Sequence, residues 1–162
     1  MTRAAGAALG LDAAAEAIIG ELDEYFATEL SAQPEGWADR TVSIVLGTKS
    51  FGGLFVPAGG ESAQFFDQAG FADNPNLEPA AGAFLSAEQY ELLEADLLVI
   101  IDGDRGATDW DAELVSDPLL AALDVVQRGD VAVFEQGQLM LQTGPTGARE
   151  AIDLFFGEVP AP

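Results

Sequence analysis

The sequence predicts an α/β fold: a three-layer α/β/α lobe with a mostly parallel central sheet, preceded by a long helix. Three observations predict it. The apolar run Leu97–Ile101 is bounded by acidic residues and has strand length, which indicates a strand covered on both faces. Strand-like and helix-like segments alternate after residue 40. An amphipathic repeat fills the N-terminal part of the chain.

The leading helix is predicted from Ala7 to about Ala32. Its apolar residues recur at steps of three and four, and Pro34 and Gly36 end it. They are Leu11, Ala15, Ile18, Leu22, Phe26 and Leu30. We assign residues 1–36 to this helix and residues 37–162 to one α/β lobe.

The first half of the lobe is predicted to contain one strand and one helix. Thr41–Leu46 is β-branched and reads as a strand, followed by a glycine-rich loop. Glu61–Ala69 reads as a helix that Gly70 ends. Residues 71–83 contain two prolines and are predicted as loop with at most a short strand.

The segment from Ala83 to Asp102 is predicted as loop, short helix and buried strand. Ser86 is placed at the N-cap, and Gln89 is the residue type that completes a capping box. Glu88 falls in the first turn, where a carboxylate suits the helix dipole. An acidic loop, DGDRGATDWDAE, follows the strand. Beyond it lie a predicted helix over 119–123, a strand over 131–134 and a last helix over 146–156.

Composition excludes several classes of function. The chain has 28 acidic and 6 basic residues and a net charge of −22, which repels nucleic acid and anionic lipid. It has no cysteine, so no disulfide or thiolate site is possible. Asp12 and Glu16 interrupt the alanine-rich N-terminus, and we expect no signal peptide in this chain.

Catalytic and metal sites receive little support. Without histidine, Ser-His-Asp catalysis and the usual zinc sites lack their central residue. The loop Gly47–Ser50 fails as a phosphate-binding loop, since the first glycine of that motif would fall at Val42. We expect no enzyme activity.

Calcium remains an alternative at the acidic loop. Asp102, Asp104 and Glu113 occupy positions one, three and twelve of an EF-hand loop, but Gly106 and Ala107 stand where a ligand and a glycine are needed. The rival function is therefore a calcium-dependent or structural interaction domain that uses its acidic face.

Scarce aromatic, basic and amide residues follow the predicted strands. Because ligands bind outside the carboxyl ends of parallel strands, these residues form a candidate ligand-binding rim. The rim offers cations, flat apolar groups and amides. Its members are Lys49, Phe51, Phe55, Arg105, Trp110 and Gln138, with Gln136 and Met140 beside them.

Several of these motifs together resemble a known family. The helix ending near Pro34 is similar to the interlobe helix of the substrate-binding proteins of iron-siderophore and vitamin B12 ABC importers. Three later runs resemble segments of the C-terminal lobe of that family, in the same order. They are FVPAGGESAQFFDQAGF, LSAEQYELLEADLLVI and DPLLAALDVVQRGDVAVF.

The resemblance implies a role in uptake. The chain would be the interlobe helix and C-terminal lobe of an extracytoplasmic, lipid-anchored binding protein for a ferric siderophore, with cobalamin or haem as alternatives. Iron would enter only as the chelate, without a cofactor or protein metal ligand. Glu88 would dock against the ABC permease. Nothing in the chain resembles the N-terminal lobe, and a lone lobe exposing an apolar cleft face could form a homodimer.

Overall fold

The central sheet has five strands among the residues that the computed structural model describes, which are 2–58, 64–135 and 144–162. The strand order is β2-β1-β4-β5, and β3 also pairs with β1. All pairings are parallel except the β1–β2 hairpin. The prediction of a mostly parallel sheet is confirmed. The strands are β1 (Thr41–Thr48), β2 (Gly53–Phe55), β3 (Ala72–Asp73), β4 (Leu97–Asp102) and β5 (Val131–Glu135).

Helices cover both faces of this sheet. The α-helices are α1 (Thr2–Leu9), α2 (Asp12–Ser31), α3 (Gln64–Ala69), α4 (Trp110–Ser116), α5 (Asp124–Arg128) and α6 (Gly144–Glu158). Short 3₁₀ segments span Lys49–Phe51, Pro75–Ala80 and Ala87–Leu93. None of the helices in the described part of the chain is long and apolar enough to cross a membrane.

Strand β4 divides the core into two halves. Leu97, Val99 and Ile101 pack with the aromatic residues of α2, α3 and α6 on one face. Leu98 and Ile100 pack with α4 and the Ala87–Leu93 segment on the other. Because successive side chains of a strand point to opposite faces, this apolar run fills two cores at once. The three-layer prediction is confirmed.

The leading helix is shorter than predicted because it breaks at Gly10. This residue has φ +67°, which ends α1, and α2 begins at Asp12. The Leu11 N–H donates to the carbonyl of Gly6 at 2.8 Å. A Cβ atom at Gly6 would lie 2.6 Å from the Ala15 Cβ, so glycine permits α1 to fold back closely onto α2.

One predicted helix in the second half is wrong in position, and one helix there was not predicted. Residues 119–123 form turns, and the helix lies after them, as α5. The Glu94 carboxylate explains this start, because it accepts the Asp124 N–H at 2.6 Å. The acidic loop contains α4, capped by the Asp109 carboxylate, which accepts the Ala112 N–H at 2.9 Å.

Smaller differences concern helix type and ends. The helix after Ser86 is 3₁₀ rather than α, and Gln89 Oε1 accepts the Ser86 N–H at 3.0 Å, as a capping-box glutamine does. The last helix spans Gly144–Glu158, so it is two residues longer at each end than the predicted range 146–156. Residues 61–63 of the predicted Glu61–Ala69 helix lie outside the described residues.

Candidate functional site

The carboxyl ends of the three long parallel strands meet at one edge of the sheet. Gly47 of β1 lies opposite Asp102 of β4, and Asp102 lies opposite Glu135 of β5. The loops 49–52 and 103–109 rise from this edge and carry three of the predicted rim residues, Lys49, Phe51 and Arg105. We call this region the strand-end edge. Gln138, Gln136 and Met140 follow β5 but lie outside the described residues.

Asp102 supports the loop after β4 from below. Its side chain is buried, and its carboxylate accepts the N–H groups of Asp104 at 2.8 Å and Gly106 at 2.5 Å. The indole N–H of Trp110 donates to the same carboxylate at 3.3 Å. Between these two amides, Arg105 adopts φ +55°, a left-handed conformation that a bulky residue rarely takes.

Asp104 joins the two described loops. Its carboxylate accepts the Lys49 N–H at 2.6 Å and the Thr108 hydroxyl at 2.9 Å. It also accepts the Ser50 hydroxyl. The hydrogen bond from the Ser50 hydroxyl is the main cause that lowers the pKa of Asp104; burial opposes it, and the hydrogen bonds from Thr108 and from the Ser50 and Lys49 amides lower the pKa further. The loops after β1 and β4 are therefore held together through one carboxylate.

Lys49 forms an ion pair within the strand-end edge. Its ammonium group contacts the carboxylate of Glu113 on α4. The Tyr90 phenol lies near this pair, and burial, followed by the Asp117 carboxylate, raises the pKa of Tyr90. Sequence analysis identified Lys49 as a rim cation but missed its partner, because the pairing depends on α4, which it did not predict.

Trp110 is buried beneath the loops of the strand-end edge and is not part of its surface. The side chain is 5% exposed and lies directly against β1. A Cβ atom at Gly47 would lie 2.4 Å from Trp110 Cε2, so the indole occupies the space that any other residue at position 47 would need. The structure therefore places this predicted rim residue beneath the loops that it supports.

Aromatic side chains are exposed beside these loops. Phe51 is 80% exposed, and the half-buried Phe55 packs edge-on against Phe84 with ring centroids 5.2 Å apart. Phe84 is itself 43% exposed. A Cβ at Gly52 would lie 3.5 Å from the Phe84 ring, so this ring borders the loop after β1. Phe84 is not among the residues predicted from the sequence; an isolated antiparallel bridge to Phe55 brings it to this place.

Arg105 is the second cation of the strand-end edge. It is exposed, and it makes no ion pair with any residue that the structure describes. Its guanidinium can therefore offer its N–H donors to a ligand. Lys49 thus has a carboxylate partner, whereas Arg105 has none among the described residues, although the sequence predicts both as cations of the rim.

Glu88 lies apart from the loop residues in sequence. It is exposed in the first turn of the Ala87–Leu93 segment, whose Tyr90 approaches the strand-end edge. An exposed carboxylate at a helix start can face a partner protein without desolvation of the core. Its docking role stays a prediction.

The acidic loop offers little to calcium in this structure. No group of three or more acidic side chains within the described ranges is arranged to hold a metal ion. The oxygens of Asp102 and Asp104 accept loop donors, and Glu113 faces Lys49. The calcium alternative stays a prediction without support from these contacts.

A groove of about 470 Å³ lies elsewhere, on the outer side of β1 between β2 and β3. Its walls include Val42, Ile44 and Leu77, with Asp73 and Glu78 among its acidic groups. None of the predicted rim residues lines it. The strand-end edge remains the candidate site because aromatic groups, a cation and the ends of parallel strands coincide there.

Solved structures share the fold of this chain. The chain superposes on Staphylococcus aureus SirA with a TM-score of 0.74 at 21% identity, over 97% of this chain and 62% of that one. The chain has the fold of a periplasmic binding protein. No protein-family model and no curated protein sequence matches it.

Two further structures share this periplasmic-binding-protein fold. A TroA-like periplasmic binding protein from Xylanimonas cellulosilytica gives a TM-score of 0.70 at 18% identity, over 96% of this chain and 56% of that one. The siderophore periplasmic binding protein from the fuscachelin gene cluster of Thermobifida fusca gives 0.68 at 21% identity, over 97% and 58%. The chain therefore spans less than two thirds of the length of each of these three proteins.

Proposed function

We propose that this chain is the ligand-binding C-terminal lobe of an extracytoplasmic binding protein that delivers a ferric siderophore to an ABC importer. One observation carries the proposal: the carboxyl ends of three parallel strands meet at one edge, and the loops that follow β1 and β4 there carry the exposed side chains of Phe51 and Arg105. Solved proteins of the same fold, named as siderophore-binding, support this reading.

The chemistry of the edge suits a chelate better than a bare ion. A siderophore supplies the coordination shell of its iron, so the protein needs surfaces for organic groups and not metal ligands. Phe51 and the Phe55–Phe84 pair offer apolar surface, and Arg105 offers hydrogen bonds. Cobalamin and haem present similar surfaces and are competing ligands in the same assay.

The proposal includes partners that the chain itself does not contain. A second lobe would close over the strand-end edge, and a permease would receive the loaded protein. Coverage of 53–62% of the matching solved chains agrees with a partner lobe. A lipid anchor on the full-length protein, and a homodimer when the lobe is isolated, follow from the same proposal.

Tryptophan fluorescence can test ligand binding directly. The chain has two tryptophans: Trp110 lies under the loops, and Trp37 lies before β1 at the opposite end of the sheet. In the Trp37→Phe variant, we expect one chelate among ferric siderophores, cobalamin and haem to quench Trp110 saturably. In the Trp110→Phe variant, the remaining indole is expected to respond less. No quenching by any chelate, or equal quenching in both variants, would contradict the proposal.

The docking role of Glu88 gives a second prediction. In the transport-competent protein, Glu88→Ala is expected to reduce uptake severalfold while chelate affinity stays unchanged, since a surface carboxylate that pairs with a basic partner acts on association. Uptake of iron-labelled chelate by cells and affinity of the purified protein are the two measurements. Glu91→Ala, an equally exposed change on the same segment, is the control. Loss of affinity in Glu88→Ala would refute the docking assignment.

A further inference from the structure

The strand-end edge also indicates which kind of chelate it suits, given the proposed function. We propose that its ligand is a ferric chelate without net negative charge, the hydroxamate class, and not a catecholate or citrate-type chelate. Three hydroxamates neutralise a ferric ion, whereas three catecholates leave the complex trianionic. Charge therefore separates these classes although their size and shape are similar.

The cations of the strand-end edge are largely matched by carboxylates. Lys49, the one lysine of the chain, is paired with Glu113. Arg105 remains, but Asp104 precedes it directly, and the Glu135 carboxylate at the end of β5 lies 3.9 Å from where a Cβ atom would stand on the next residue, Gly106. A trianionic ligand would meet no net positive charge here.

The loop amides already have hydrogen-bond acceptors within the protein. Backbone N–H groups of a loop are common anion ligands. In these two loops, however, the amides of Lys49, Asp104 and Gly106 already donate to protein carboxylates. The Asp102 and Asp104 carboxylates thus already accept the hydrogen bonds that these amides would otherwise donate to an anionic ligand.

The chain as a whole is also acidic. It carries a net charge of −22, which repels an approaching anion over the range set by the salt concentration. A ferric hydroxamate, which carries no net negative charge, escapes this repulsion.

The remaining donors and rings complete the assignment. The Arg105 guanidinium can donate to hydroxamate oxygens, which carry partial negative charge even in a neutral complex. Phe51 and Phe84 can contact the aliphatic linkers of such a chelate. The site would thus combine one directional donor with apolar contacts.

Binding of chelates that differ in charge tests the inference. We would titrate the chain, as the Trp37→Phe variant, with ferric desferrioxamine, a ferric tris-catecholate and ferric citrate at low and at high salt. At low salt, the hydroxamate is expected to bind at least about tenfold more tightly than either anionic chelate. This ratio of affinities should decrease at high salt, because salt screens the repulsion of the anions. Tighter binding of an anionic chelate would overturn this inference and leave the proposed function standing. Binding of none of the chelates would refute both.

A variant that releases Lys49 provides the gain-of-function test. Glu113→Gln removes the partner of Lys49 and is expected to raise affinity for the tris-catecholate severalfold, with little change for the hydroxamate. Asp111→Asn removes an exposed carboxylate from the same helix without touching Lys49, and it is the matched control. An equal gain in both variants would show that overall charge, and not the Lys49–Glu113 pair, sets the preference, which would overturn the assignment of this pair.

Discussion

Replacement of Phe155 by alanine is expected to lower the free energy of unfolding by about 3–5 kcal/mol. The side chain is fully buried on α6. Its ring lies 4.9 Å from Phe66, 5.7 Å from Trp37 and 6.1 Å from Phe26, measured between centroids. One ring thus joins α2, α3 and α6, and its removal would leave a cavity that three separate elements cannot close together.

Denaturant unfolding followed by circular dichroism measures this loss. Phe51→Ala is the matched control, because it makes the same change at a ring that is 80% exposed and is expected to alter stability by about 0.5 kcal/mol or less. Chelate binding should show the reverse order: Phe51→Ala is expected to weaken it, and Phe155→Ala is expected to affect it less. A Phe155→Ala protein as stable as Phe51→Ala would contradict the packing described for this half of the core.

Asn74→Ala is expected to lower the free energy of unfolding by about 2–4 kcal/mol. The buried amide nitrogen of Asn74 donates to Ser43 Oγ at 2.7 Å and to the carbonyls of Leu92 and Glu94 at 2.9 and 3.0 Å. Alanine would leave these acceptors without that donor, and a buried polar group without a hydrogen-bond partner costs free energy. The same unfolding measurement applies.

Asn76→Ala isolates the buried amide of Asn74. Asn76 is exposed in the same turn, and it contributes its backbone N–H, which donates to Asn74 Oδ1 at 2.9 Å and survives the substitution. We expect a near-neutral effect there. If both variants lost the same stability, the turn itself, and not the Asn74 amide, would be the stabilising feature.

The sheet could be predicted from sequence because its signal is local. The run Leu97–Ile101 has no polar position, and such a segment can be satisfied only between two apolar layers. The break at Gly10 was not predictable from the apolar repeat, which begins only at Leu11. It depends on α1 packing against Ala15, a contact between helices that the stripe alone does not encode.

The edge residues show a similar limit. The sequence indicates which loops follow the strands, and thereby locates Lys49, Phe51 and Arg105. It does not show that Lys49 meets Glu113, since that depends on α4, whose start is marked only by Asp109 and Trp110. Asp102 and Asp104 match the start of a calcium loop in sequence, but the chain turns their oxygens toward its own amides.

The Asp102 and Asp104 contacts have a consequence for how binding specificity could change. In most of the hydrogen bonds that hold the two loops, a main-chain N–H donates to one of these carboxylates. These bonds therefore do not depend on which side chains stand at positions 51 and 105. The left-handed backbone at 105 also accepts glycine and asparagine readily. A library restricted to these two positions would therefore sample new ligand preferences on an unchanged scaffold, in the way that antibody loops are diversified on a constant framework.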